Sequence, residues 1–176
     1  MAVCLREEQV VDQLAGDFMM AQISRGLLLF CLIAMPLGCG GKPPYEGKSP
    51  AQLIRMLESA DTKVQAQGAF GLSLLGPAGK PAVPALADKL KSPDSLVRQN
   101  AALALGKIGP EAADAVPALV EALHDADWPV RRHAALALGE IGPAAAAAAP
   151  ALQKLNSDSN KLVRKAAQQA FAKIRK

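Results

Sequence analysis

A phrase of fourteen residues recurs in this chain at a fixed interval of 33, and that interval limits what the chain can fold into. Its fullest form is Val130-Arg131-Arg132-His133-Ala134-Ala135-Leu136-Ala137-Leu138-Gly139-Glu140-Ile141-Gly142-Pro143; a near copy begins at Val97, a worn one at Val64 and a truncated one at Val163. A period of this size describes a solenoid, in which each unit buries its apolar face only against its neighbours. Within the phrase, Val97, Ala101, Leu105 and Ile108 stand at spacings of 4, 4 and 3, as do Val130, Ala134, Leu138 and Ile141. That is the apolar stripe of a helix. A second helix precedes each stripe, running from Pro84, Pro117 or Pro150 to Leu90, Leu123 or Leu155, and the first of the series opens with Ser49-Pro50 as cap and first turn. Asp61, Asp94, Asp127 and Asn160 fall at equivalent turn positions, where each is expected to cap the helix that follows. Gly-Pro then ends that helix through a left-handed cap. Aromatic residues make up only 3% of the chain, so the core is Ala and Leu, which suits closely packed helices and not sheets.

The expected architecture is all-α: an α-solenoid of about four two-helix repeats over 49–176, divided near 49–80, 81–113, 114–146 and 147–176. The alanine run 144–149 aligns with the earlier connections 78–83 and 111–116, and is expected to form one helical turn between repeats. Where the middle repeats carry Ala102-Leu103 and Ala135-Leu136, the last has Gln168-Gln169, the polar outer face expected of a terminal unit.

The N-terminal third is of a different kind. Leu27 to Leu37 is an uncharged apolar run of 11 residues, preceded by Arg25 and followed by Gly38-Cys39-Gly40-Gly41. It is shorter than the roughly 20 residues of a bilayer-spanning helix, and its flanks describe a secretory signal peptide. The Cys at its exit resembles the lipobox of bacterial lipoproteins, with Gly38 matching and Pro36 and Leu37 departing from that pattern. The resemblance implies lipidation at Cys39 and a place in the bacterial cell envelope facing the periplasm. Residues 1–18 carry a net charge of −3, the reverse of a basic signal lead-in, and Met19-Met20 follow them. The expectation is therefore a start-site extension over 1–18, a signal peptide over 19–38 and a Gly/Pro tether over 39–48.

The repeated Asp-x-x-Val-Arg-x-x-Ala-Ala-x-Ala-Leu-Gly-x-Ile-Gly-Pro resembles the short HEAT repeats first associated with phycobilisome lyases. The family mixes binding scaffolds, bilin lyases, DNA-repair proteins and a di-iron hydroxylase, so the resemblance specifies fold more than activity. In this family the second helices line the inner surface. A column there reads Ala66, Gln99, Arg132, Lys165, and a layer along it Leu74, Lys107, Glu140, Lys173. The fold does not dictate these residues, so Gln99, Lys107, Arg132, His133, Glu140, Lys165 and Lys173 are the candidate protein-binding surface. Trp128 joins them as a possible anchor in a turn. Arg98, Arg131 and Arg164, one step after each Val, are expected to bond turn residues such as Asp94 and Asp127 in a structural ladder.

No catalytic constellation is visible. His124 and His133 are the only histidines, and no cysteine follows Cys39, so neither a metal centre nor a cofactor is expected. The reading is a non-catalytic, lipid-anchored scaffold for a protein partner. The formal charge of +4 lies mostly at the C-terminal end, where Lys161 to Lys176 holds six basic residues and no acidic one. Scarce aromatics disfavour nucleic acid as the partner of that patch, and the missing Cys, His or Tyr site disfavours a lyase-like helper for a tetrapyrrole. Those two remain the alternative readings.

Overall fold

The computed structural model describes residues 42–175; the extension over 1–18, the signal segment and Cys39 lie outside them. The described chain is a run of helical hairpins with no strand among its residues. Its α-helices are α1 (Pro50–Leu57), α2 (Thr62–Leu75), α3 (Val83–Lys89), α4 (Ser95–Ile108), α5 (Val116–Ala122), α6 (Trp128–Ile141), α7 (Ala149–Lys154) and α8 (Lys161–Ile174). Odd-numbered helices are short first helices and even-numbered ones are the 14-residue second helices of four repeats. Ser49 opens the array with a capping box: its hydroxyl accepts from the Gln52 N–H, and its own N–H donates to the Gln52 side chain.

The stripes read from the sequence form the core. Val97, Ala101, Leu105 and Ile108 are buried, as are Val130, Ala134, Leu138 and Ile141, between Leu86, Leu119 and Leu152 of the first helices. The second helices also pack side by side, which is why small residues recur on them. A Cβ added at Gly106 would lie 3.0 Å from the Ala137 Cα, and one added at Gly139 would lie 2.8 Å from the Ala170 Cα. Helix axes approach this closely only where a side chain is missing.

Between repeats the chain runs through 3₁₀ segments, Gly76–Ala82, Gly109–Ala115 and Gly142–Ala148, each starting at a glycine with φ of 54°, 76° or 76°. Their ψ values, from −131° to −142°, lie outside the left-handed helical cap expected from Gly-Pro, in a region open essentially to glycine alone. Three residues per turn bring every third residue to one face: Ala112 with Ala115, and Ala145 with Ala148, are buried. The alanine run thus fills most of the 3₁₀ segment Gly142–Ala148, which is kinked at Ala145, and reaches the first residue of α7, where a single helical turn was expected.

The tether needs a second correction. Its described part, 42–48, is a turn closed by the Glu46 N–H on the Pro43 carbonyl (2.9 Å). Tyr45 packs edge-on against Phe70 of α2 at 5.2 Å between ring centroids. The Tyr45 Cβ lies against Gly71, so this half-buried side chain covers area that a free linker would leave in water.

Candidate functional site

Four second helices, α2, α4, α6 and α8, form one face, and what that face offers is set at its turns first. The ladder there is built from donors of fixed geometry. Arg98 donates from Nε and Nη2 to both carboxylate oxygens of Asp125 (2.7 and 3.0 Å), from Nη2 to Asp127 (3.0 Å), and from Nη1 to the carbonyls of Ser92 and Pro93. Arg131 repeats this with Asp158 (2.8 and 3.0 Å) and the carbonyls of Asp125 and Ala126. Arg164 bonds the carbonyls of Asp158 and Ser159 (2.7 and 3.0 Å). The acidic partners therefore come from the next repeat, and the main ones, Asp125 and Asp158, were not singled out in the sequence.

Asp94 is not in the ladder. Its carboxylate accepts from the Leu96 and Val97 N–H groups and caps α4. Asp127 shows the opposite correction, because its side chain makes no cap bond. Pro129 stands where Leu96 stands in α4 and has no N–H to give, so the Asp127 carboxylate turns to Arg98. Asp61 and Asn160 cap their helices as expected.

The pairs shift their carboxyls. Burial pushes Asp125 up, but the Arg98 hydrogen bonds, the Asp127 N–H and the charges of Arg98 and Arg131 outweigh it and hold Asp125 below the usual carboxylate range. For Asp158 the Arg131 hydrogen bonds are the largest effect, and the carboxyl is again held low.

The candidate binding residues divide into three groups. Lys107, His133 and Glu140 meet around a groove of about 300 Å³ between α4 and α6, whose walls are Leu103 and Leu136 and whose floor includes Gly106 and Ala137. A second groove of about 360 Å³ lies between α6 and α8, with Leu136, Glu140, Gln169 and Lys173 around it. Glu140 and Lys173 form an ion pair across the repeats (2.7 Å). Gln99, Arg132 and Lys165 line neither groove; they stand further along the same helices, Lys165 exposed and the other two half-buried. Ala66, placed by sequence in their column, is instead buried, because Asn100 of the next repeat lies over it and donates to its carbonyl (3.0 Å).

His133 is half-buried and not a surface side chain. Its Nδ1 lies 2.7 Å from the Pro129 carbonyl, which places the ring proton there and leaves Nε2 as acceptor. Burial pushes the imidazole below its ordinary value, with the Arg132 charge adding to that. Trp128 is the first residue of α6, not a turn residue, and is 41% exposed, away from both grooves. No cluster of three or more metal-ligating side chains occurs among the described residues.

The charge of the second helices is almost all of one sign. The second helices carry Lys63, Arg98, Lys107, Arg131, Arg132, Lys161, Arg164, Lys165 and Lys173, and Glu140 is their one acidic residue. The first helices are mixed, with Asp88 and Glu121 beside Arg55, Lys89 and Lys154, and Glu111 and Asp114 lie on a connection. With the arginines of the ladder held at the turns and Glu140 held by Lys173, the face presents Lys107, Arg132 and Lys165 to solvent without a described acidic partner.

Stacked hairpins around an Ala/Leu core, with a layer of close-packed second helices, define an armadillo/HEAT-like α-solenoid. The chain belongs to the HEAT-repeat family, whose model matches residues 50–114 and 111–172. No curated protein sequence matches it. Among solved structures it is similar to an engineered protein at 31% identity and a TM-score of 0.60, over 72% of this chain and 62% of that one. A second engineered protein matches at 30% identity and a TM-score of 0.59, over 72% of this chain and 38% of the other. A designed armadillo repeat protein in complex with the peptide (KR)4 matches at 23% identity and a TM-score of 0.61, over 69% and 62%. The chain thus spans less than two thirds of the length of each.

Proposed function

We propose that this chain is a non-catalytic scaffold that binds an extended segment of a protein partner along the face of α2, α4, α6 and α8. The observation that carries the reading is the coincidence, on that face, of two grooves with apolar walls and a charge of almost one sign. Grooves at repeat spacing suit side chains of an extended peptide, and fixed cations select its charge. The designed armadillo protein of similar fold holds its peptide as a (KR)4 complex. That ligand is basic, whereas the face here is basic itself, so the segment it takes is acidic. The stacked helices supply geometry, and the side chains that fail to repeat supply the sign.

The same proposal places the scaffold at a membrane. Removal of residues 19–38 as a signal peptide and lipidation of Cys39 would fix it in a bacterial cell envelope, facing the periplasm. Support comes from Arg25, the apolar run 27–37 and the Gly38-Cys39 exit.

Capture from envelope fractions with the full chain tests the scaffold. Reversal of Lys107, Arg132 and Lys165 together to Glu is expected to abolish capture with the melting temperature kept. Capture that survives the triple reversal sinks the reading. Mass spectrometry of the mature N-terminus tests the anchor: a diacylglyceryl mass on Cys39 supports it, and an unmodified N-terminus upstream of Cys39 rules it out.

A further inference from the structure

The two grooves differ in the charge left at their rims. In the groove between α4 and α6, of about 300 Å³, Leu103 and Leu136 are the walls, and the floor includes Gly106 and Ala137, neither larger than a methyl. Lys107 and Glu140 stand exposed at its rim, at equivalent positions of neighbouring repeats, and Glu140 is turned to Lys173 (2.7 Å). Lys107 has no acidic partner among the described residues, and the equivalent position in the repeat before it is Leu74. His133 brings no charge to the same groove. Its Nδ1 is held by the Pro129 carbonyl and burial pushes the imidazole below its ordinary value, so the ring is neutral at pH 7 with Nε2 left to accept. One cation therefore stands over an apolar trough. In the groove between α6 and α8 the Glu140–Lys173 pair closes on itself and leaves no such cation. The chain supplies its own precedent for what this register accepts. Phe70 stands in α2 where Leu103 and Leu136 stand in α4 and α6, and Tyr45, from the non-helical turn 42–48, packs edge-on against it at 5.2 Å. Glu46 follows Tyr45 directly.

We infer that the groove between α4 and α6 binds an apolar side chain of a protein partner with Asp or Glu next to it, the apolar group lying between Leu103 and Leu136 and the carboxylate on the Lys107 ammonium. This rests on the protein-binding reading above and adds a second requirement to it, an apolar anchor beside the acid. The anchor stabilises the complex through the area it removes from water. The carboxylate adds a charge-assisted bond that fixes which neighbour of the anchor lies over α4. An exposed ion pair alone contributes little, so most of the affinity comes from the anchor, while Lys107 sets the sign of the segment. The Nε2 of His133 is then placed to accept a backbone N–H of the segment.

The full chain, labelled with ¹³C at its leucine methyls, is titrated with octa-aspartate and with the same peptide carrying one central leucine. The leucine peptide is expected to bind about tenfold more tightly and to shift the Leu103 and Leu136 methyls saturably. The exposed Leu96 and Leu162, in the first turns of α4 and α8, should stay still. Lys107→Gln, at an exposed position, should weaken the leucine peptide about threefold. Equal affinity for the two peptides overturns the inference, and so does a leucine peptide that moves Leu96 or Leu162 but not the groove methyls. Unchanged binding by Lys107→Gln overturns the placement of the carboxylate. Decanoate, which joins an apolar body to a carboxylate, overturns the assignment to a protein segment if it shifts the same methyls at lower concentration than the peptide. If the two peptides bind equally and both are lost on reversal of Lys107, Arg132 and Lys165, the scaffold stands and this inference fails. Groove methyls that answer the leucine peptide, in a chain whose envelope capture survives that reversal, give the reverse.

Discussion

Replacing Arg131 by Ala tests whether the ladder holds the repeats together. The residue makes four hydrogen bonds, two to the Asp158 carboxylate and two to carbonyls of its own turn. The side chains of Arg131 and Asp158 are 14% and 7% exposed. After the substitution the Asp158 carboxylate keeps only the Asn160 N–H at 2.8 Å. Removing one partner of a well-buried pair costs about 3–5 kcal/mol, chiefly through the charge left behind. The carbonyls reach water at the turn, so the lower end, about 3 kcal/mol, is expected. In an array of this size that corresponds to a fall in melting temperature of about 10 °C. The loss falls between the third and fourth repeats, so hydrogen exchange should show α7 and α8 opening first. Circular dichroism melts of Arg131→Ala, Asp158→Ala and the double variant close a cycle in which the double variant costs less than the sum, since it leaves no stranded charge. Arg164→Ala strands no carboxylate and should cost about 1 kcal/mol. The reasoning is refuted if Arg131→Ala melts within about 2 °C of the parent, or no lower than Arg164→Ala.

Acid should act on the same rungs. Because Asp125 and Asp158 are held below their ordinary value of 3.8, their contribution is complete above about pH 4 and is lost as pH falls through the lower folded values; Arg131→Ala should flatten the Asp158 part of that loss in acid melts. His133 titrates in a separate window. Its pKa is depressed below the ordinary 6.5, so stability is full above that value and declines as pH falls from it, and His133→Gln should level the melting temperature between about pH 6.5 and 5. Gly139→Ala sets helix propensity, a gain of about 1 kcal/mol, against a Cβ placed 2.8 Å from the Ala170 Cα. The clash should win, with a net loss of about 1–2 kcal/mol by denaturant melts, and a stabilised variant would show that α8 can retreat.

The period made the scaffold legible, because packing and capping claim the same residue types in every unit. The stripe from Val130 to Ile141, the caps at Asp61, Asp94 and Asn160, and the glycines before each proline all follow from that repetition. What escaped is what depends on two repeats at once. Asp127 carries the right residue for a cap, yet Pro129 removes the donor, an effect visible only when the cap's partner is considered with it. Ala66 looks equivalent to Gln99 and Arg132, and only Asn100 from the following repeat covers it. The Tyr45 turn eluded the sequence because its Gly/Pro composition describes a linker, while its partner Phe70 lies on the second helix of the first repeat.

The ladder partners had a signal in the sequence that single-column reading passes over. The column Ser59, Ser92, Asp125, Asp158 turns acidic only where the preceding repeat has supplied an arginine. Gln65 stands where Arg98 and Arg131 stand, and the residue 27 positions on from Gln65 is Ser92, not an aspartate. Gln65 instead donates to the Ser59 carbonyl of its own turn (2.6 Å). An aspartate therefore appears in this column only where an arginine stands to receive it, as the cost of burying a lone carboxylate at the turn requires.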